Sequence, residues 1–126
     1  MRILKFINII KLAVIHKKKT CKISYHKIYL NFLNKLIDVN LIKSYRIVKN
    51  TIYINFIKVD GDLIYGTLTN FYKPRNCKSI SIQFLKKNLK NFKKGLYFIM
   101  TSYGLKTHLD SIKENKSGFL LFKLSR

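Results

Sequence analysis

Twenty-six lysines and arginines stand against five aspartates and glutamates in this chain, a formal net charge of +21. The cations, mostly lysine, run along its whole length rather than in one tail. A folded body this basic repels itself unless something neutralises it, whereas solubility alone asks for a net charge of only about 2–8. The surface therefore points to a polyanion, either nucleic acid or an anionic membrane. The fold must come from the apolar residues, which at 48% match an ordinary globular protein. A length of 126 residues suits one domain, or two small lobes sharing a core.

The apolar periodicity alternates between helix and strand. Ile3, Phe6, Ile7, Ile10 and Val14 keep helical spacing, so a helix is expected over 3–15. This segment is basic and amphipathic like some transit peptides, but lacks their cleavage site and their Ser and Arg enrichment. A basic loop (His16 to Thr20), a strand over 20–24 and a second helix over about 26–38 follow, with Ser24 or Tyr25 at the helix start and Ser the better cap. Its polar face carries Lys27, Asn31, Asn34, Lys35 and Asp38, while Ile28, Leu33, Leu36 and Ile37 turn mostly inward. Strands are expected over 41–49 and 51–59, then a turn at Asp60-Gly61, a strand from Leu63 to Phe71, and a short one near 78–82. Leu85, Leu89 and Phe92 mark a helix with lysines on its other side, stopped by Gly95. A buried strand over 96–101, a helix from His108 opened by a Thr107/Asp110 capping box, a turn ended by Gly118 and a closing apolar strand complete the chain. The expected class is α+β. Residues 1–61 form an amino-terminal helix-strand-helix-strand-strand lobe, and 62–126 a mainly antiparallel sheet with short helices. Apolar runs are broken well short of the roughly 20 residues that span a bilayer.

Catalytic chemistry finds little support. Five acidic residues leave few general acids or bases, and Asp60 and Asp62 sit where turn chemistry explains them. Ser102 lies in Met-Thr-Ser-Tyr-Gly, which is no nucleophile elbow, and His108 nearby implies no triad. Cys21 and Cys77 match no metal spacing, and His16, His26 and His108 no ligand pattern. No catalytic residue, metal or cofactor is expected.

RNA chemistry fits one stretch, "GLYFIMTSYGLKTHLD". Its apolar run stops at Thr101-Ser102, whose hydroxyls both donate and accept. Gly104 permits close backbone approach. The helix after Thr107 offers a phosphate seat at its start. A-form RNA presents 2′-hydroxyls and base edges across a wide, shallow groove that such a loop suits. Taken alone, an ordinary strand-to-helix turn explains these residues better.

The stretch is not alone. From Gly95 to Leu124 the chain resembles the carboxy-terminal segment of bacterial-type ribosomal protein eight of the small subunit. That family has a strand entering Ser-Thr-Ser-x-Gly, a Thr-initiated helix, a Gly-Gly turn and a closing apolar strand. The match runs through Met100 to Gly104, Thr107, Gly118 and Phe119 to Leu124, and Lys73-Pro74 falls on the family's basic residue and proline upstream. The first forty residues follow the family's helix, strand, helix order, with Met1 at its start, so no cleavable presequence is expected. The resemblance implies a two-lobed, non-catalytic protein that binds the central domain of small-subunit rRNA, supports subunit assembly and translation, and sits among small-subunit ribosomal proteins. It implies rRNA contacts by Thr101, Ser102 and Gly104. With their neighbours, the expected RNA-binding set is Thr101, Ser102, Tyr103, Gly104, Lys106, Thr107, Lys73, Arg75, Lys86 and Lys87.

The departures are Met100 for the first Ser, Tyr103 at an often basic position, Arg75 for a Gly, and Ile9 to Leu12 for the family's Arg-x-Arg-Asn. Richness in Lys, Ile, Asn, Phe and Tyr indicates an AT-rich coding sequence. Together these point to a divergent organellar, mitochondrial member; a plastid or a bacterial cytoplasm are the alternatives. The alternative functions are a general nucleic-acid-binding or RNA-maturation protein of an organelle and, last, a basic peripheral membrane protein. The last would want one concentrated basic helix.

Overall fold

The computed structural model describes residues 2–73, 79–81, 83–84 and 95–125. Helix α1 (Arg2–Ile15) leads into strand β1 (Thr20–Ser24), helix α2 (Lys27–Asp38), and strands β2 (Ile42–Val48) and β3 (Thr51–Phe56). Two short strands, β4 (Lys58–Val59) and β5 (Asp62–Leu63), flank the Asp60-Gly61 turn. Next come β6 (Thr67–Asn70), β7 (Ser79–Ile80), β8 (Gly95–Thr101), β9 (Gly104–Thr107), helix α3 (His108–Glu114) and β10 (Gly118–Ser125). The class is α+β: helices and a three-stranded sheet first, then an antiparallel sheet with a short helix. The helix expected around Leu85 to Phe92 falls outside the described residues.

The first sheet is antiparallel, in the order β1-β3-β2. Along β3, Ile52, Ile54 and Phe56 are buried while Tyr53 is exposed, the alternation its sequence announces. Helix α1 buries Phe6, Ile7, Ile10, Ala13 and Val14, and α2 buries Tyr29, Phe32, Leu33 and Leu36. The Phe6 ring stacks on Tyr29 at 5.2 Å and meets Phe32 edge-on at 5.3 Å. The second sheet runs β6-β10-β8-β9, with β7 also on β10, and Phe98 stacks on Phe122 at 4.5 Å. One core cluster takes residues from both halves, among them Phe6, Phe32, Ile54, Leu68, Phe98 and Phe122. Each such side chain contributes about 1.5–3 kcal/mol by leaving water.

Several boundaries differ from the sequence expectation, each for a local reason. The α2 cap is His26, whose Nδ1 accepts from the Ile28 amide at 3.2 Å. Ser24 is held in β1 opposite Thr51, and the Tyr25 amide still donates to the Asn50 carbonyl at 2.7 Å, so the chain is not free to turn earlier. The strand expected from Leu63 to Phe71 is divided. Tyr65 is buried and its hydroxyl donates to the Val39 carbonyl at 3.0 Å, which draws the chain off the ladder before Thr67. Helix α3 ends on Asn115 in the left-handed region (φ 58°), and Gly118 closes the turn that follows, as the sequence reading expects.

Gly118 opens β10 where its backbone lies directly against β8. A Cβ there would overlap the Met100 carbonyl, a backbone group that cannot swing aside. Gly118→Ala is therefore expected to lower stability by about 1–3 kcal/mol, the range for overpacking. Urea denaturation would register this as a lower midpoint, and an unchanged midpoint would contradict the packing.

Candidate nucleic-acid interface

Strands β8 and β9 form a tight hairpin whose ladder pairs Thr101 with Gly104, leaving Ser102 and Tyr103 as its tip. The positive φ that such a turn needs falls on Gly104, at 109°. The Thr101 hydroxyl donates to the Gly104 carbonyl at 2.9 Å and accepts from the Tyr103 amide at 3.1 Å. Thr101 is buried, so its hydroxyl shapes the turn instead of facing outward. The sequence reading expects only a loop between this strand and the next helix. The intervening β9 escapes it because four residues, one of them Gly, carry too little periodicity.

The tip points out. Ser102 is exposed, and its hydroxyl has no hydrogen-bond partner among the described residues. Tyr103 is 66% exposed. Lys116 Nζ sits 4.5 Å from the Tyr103 ring centroid, a cation on the ring face. Lys106 Nζ lies 3.5 Å from Glu114 Oε1. Tyr103, Lys106, Glu114 and Lys116 line an open cleft of about 280 Å³. Lys116 reaches this place because Asn115 reverses the chain, with the Lys116 amide donating to the Ser111 carbonyl at 3.0 Å. Nothing in the sequence pairs Lys116 with Tyr103.

The hairpin is braced from α2. Asn31 Oδ1 accepts from the Leu105 amide at 2.8 Å, and a Cβ on Gly104 would come within 2.7 Å of the same oxygen. One turn further along α2, the Lys35 ammonium pairs with the Asp110 carboxylate of α3. The Asp110 amide donates to Thr107 Oγ1 at 3.2 Å, so the expected cap is present. Burial works upward on the Asp110 pKa, but Lys35 and the Thr107 hydroxyl and amide outweigh it, and the net pKa is lowered. Thr107 is thus buried and occupied by its own helix, and the first turn of α3 already holds a carboxylate. At this helix start, where the sequence reading expects a phosphate seat, the Thr107 amide and hydroxyl donate to the Asp110 carboxylate.

Of the remaining expected contacts, Lys73 is exposed and follows β6, at the same end of the sheet as the hairpin tip but with β10 between β6 and the hairpin. Arg75, Lys86 and Lys87 lie outside the described residues. The structure thus gathers Ser102, Tyr103, Gly104 and Lys106, and adds Asn31 and Lys116. No protein-family model matches the chain, and no curated protein matches it.

His108 is 2% exposed, and the Tyr97 amide donates to its Nδ1 at 3.2 Å. Burial pushes its pKa below the ordinary 6.5. The unfolded chain therefore binds a proton at a higher pH than the folded one does, and stability falls as pH drops below about 6.5 toward the folded value. Asp110, also lowered, adds a second loss that begins below its ordinary 3.8. Urea midpoints measured from pH 7 downward should show the first decline, and His108→Gln should remove it. Asp110→Asn leaves Lys35 unpaired where only 17% of its side chain is exposed. A loss of about 1–2 kcal/mol at pH 7 is expected, between the values for surface and buried pairs.

Proposed function

We propose that this chain is a structural RNA-binding protein of a small ribosomal subunit, a divergent relative of ribosomal protein eight. In this reading it binds the central domain of small-subunit rRNA and supports subunit assembly and translation. The observation that carries it is the hairpin tip. Ser102 and Tyr103 are exposed at the end of a turn held internally by Thr101 and laterally by Asn31, within a chain of net charge +21. A polar and aromatic point held rigid loses little conformational freedom on binding. It offers one hydroxyl, one ring face and adjacent cations to an irregular RNA groove.

Two contributions make up the mechanism. Dispersed lysines neutralise phosphates, which gives sequence-independent and salt-sensitive affinity. The Ser102 hydroxyl and the Tyr103 ring, with Lys106, Lys116 and the Gly104 backbone close by, read the contour of one RNA region. Thr101 and Thr107 act by positioning. The proposed setting is the mitochondrial ribosome, with neighbouring small-subunit proteins as further partners. No helix among the described residues is long and apolar enough to cross a membrane.

The purified chain is expected to prefer a central-domain rRNA fragment over a scrambled RNA of equal length. Ser102→Ala combined with Tyr103→Ala should reduce that preference by about tenfold or more, given the usual worth of a stacked ring, and leave low-salt background binding intact. Thr101→Val should instead lower stability by about 1–2 kcal/mol through the lost turn hydrogen bonds. A preference that survives the double change rules out the tip as the reading element. Failure of the chain to sediment with assembled small subunits rules out the ribosomal setting.

A further inference from the structure

The hairpin leaves a second surface unused. Helices α1 and α2 cover one face of the β1-β3-β2 sheet, where Ile23, Ile42, Ile52, Ile54 and Phe56 are buried. The register aligns the residues of the opposite face in rows across the strands. Lys22 pairs with Tyr53, and Tyr53 with Arg46. Thr20 pairs with Asn55, and Asn55 with Ser44. Tyr53 is 40% exposed although it lies on the central strand, and the Arg46 guanidinium carbon is 5.8 Å from its ring centroid. Asn55 Nδ2 donates to Ser44 Oγ at 3.3 Å.

The second row continues into an open cleft of about 630 Å³ at the end of the sheet, which Ser44 and Asn55 share with Lys19, Lys43 and Lys58. No carboxylate lies in either row or lines that cleft; the acidic residues of the chain are Asp38, Asp60, Asp62, Asp110 and Glu114.

We infer that this outward sheet face is a platform for a single-stranded RNA segment. A ring held on a central strand presents a stacking surface that any base can use. Lys22 and Arg46, one strand away on either side, stand where phosphates flanking a stacked base would pass, since neighbouring strands lie about 4.8 Å apart. The Asn55 amide with the Ser44 and Thr20 hydroxyls supplies both donors and acceptors to a base edge. Lys19, Lys43 and Lys58 continue the cationic track into the cleft. A double helix would bring only its backbone to this face and leave the ring without a partner, whereas a single strand engages ring and cations together. The inference shares with the hairpin reading only its class of polyanion. It rests on Tyr53 and its neighbours, none of which belongs to the hairpin.

The test uses the full chain and a short, unstructured, fluorescently labelled oligouridylate, read by anisotropy over a series of salt concentrations. Tyr53→Ala should weaken binding by about 5- to 50-fold, and Tyr53→Phe should retain it, as stacking requires. Lys22→Gln with Arg46→Gln should flatten the logarithmic salt slope by about 1.4, at roughly 0.7 per released contact on a single strand. Ser102→Ala with Tyr103→Ala should leave oligouridylate binding unchanged. The unaltered chain, photocrosslinked to a bromouridine-substituted oligomer, should carry its adduct in β1 to β3, which keeps the proposal testable if Tyr53→Ala disturbs folding. An affinity unmoved by Tyr53→Ala, an equal loss in Tyr53→Phe, or an adduct mapped elsewhere overturns it. Loss of oligouridylate binding in the hairpin variant assigns the single strand to the hairpin, which overturns the platform and leaves the hairpin reading standing.

Discussion

The contact on which the molecule's second half depends is made by a residue of the first. Asn31, exposed on α2, accepts the Leu105 amide and lies so close to Gly104 that no side chain fits between them. This one group satisfies a backbone donor on β9 and fixes the distance from helix to hairpin. On the other side, Gly118 presses β10 against the carbonyl of Met100 at the end of β8. The tip is thereby held from both sides while Ser102 and Tyr103 remain outside.

The few acidic residues are placed with corresponding economy. Asp110 ties α3 to α2 through Lys35, Glu114 meets Lys106 beneath the tip, and Asp62 lies 3.3 Å from Lys17 at the surface. The Asp110 pair joins elements far apart in sequence; the two more exposed pairs add little on their own. Cohesion comes instead from the shared apolar core, and the excess positive charge stays on the surface.

Much of this architecture was legible in the residues. The alternation of Ile52, Ile54 and Phe56 with Thr51, Tyr53 and Asn55 marked β3, and the helical spacing of Phe6, Ile7, Ile10 and Val14 marked α1. The Thr107-Asp110 cap was readable because its chemistry is local. What escaped depends on groups distant in sequence. Asn31 and Lys35 looked like a solvated helix face, yet they hold the hairpin and α3. Tyr65 broke a strand through a hydroxyl bonded to Val39. The hairpin was half legible: Thr101 and Ser102 stood out where the apolar run stopped, but which of them faced outward depended on a turn geometry that composition does not encode.

Asn115 adds a constraint of another kind. Its left-handed backbone ends α3 at the one point from which the next residue swings back over Tyr103. Each helical residue advances the azimuth by about 100°, so lengthening or shortening α3 by one position would carry Lys116 to another side of the helix and shift the start of β10 away from Met100. The segment from Thr107 to Gly118 thus works as a molecular ruler. Its side chains can drift, but its count of residues cannot.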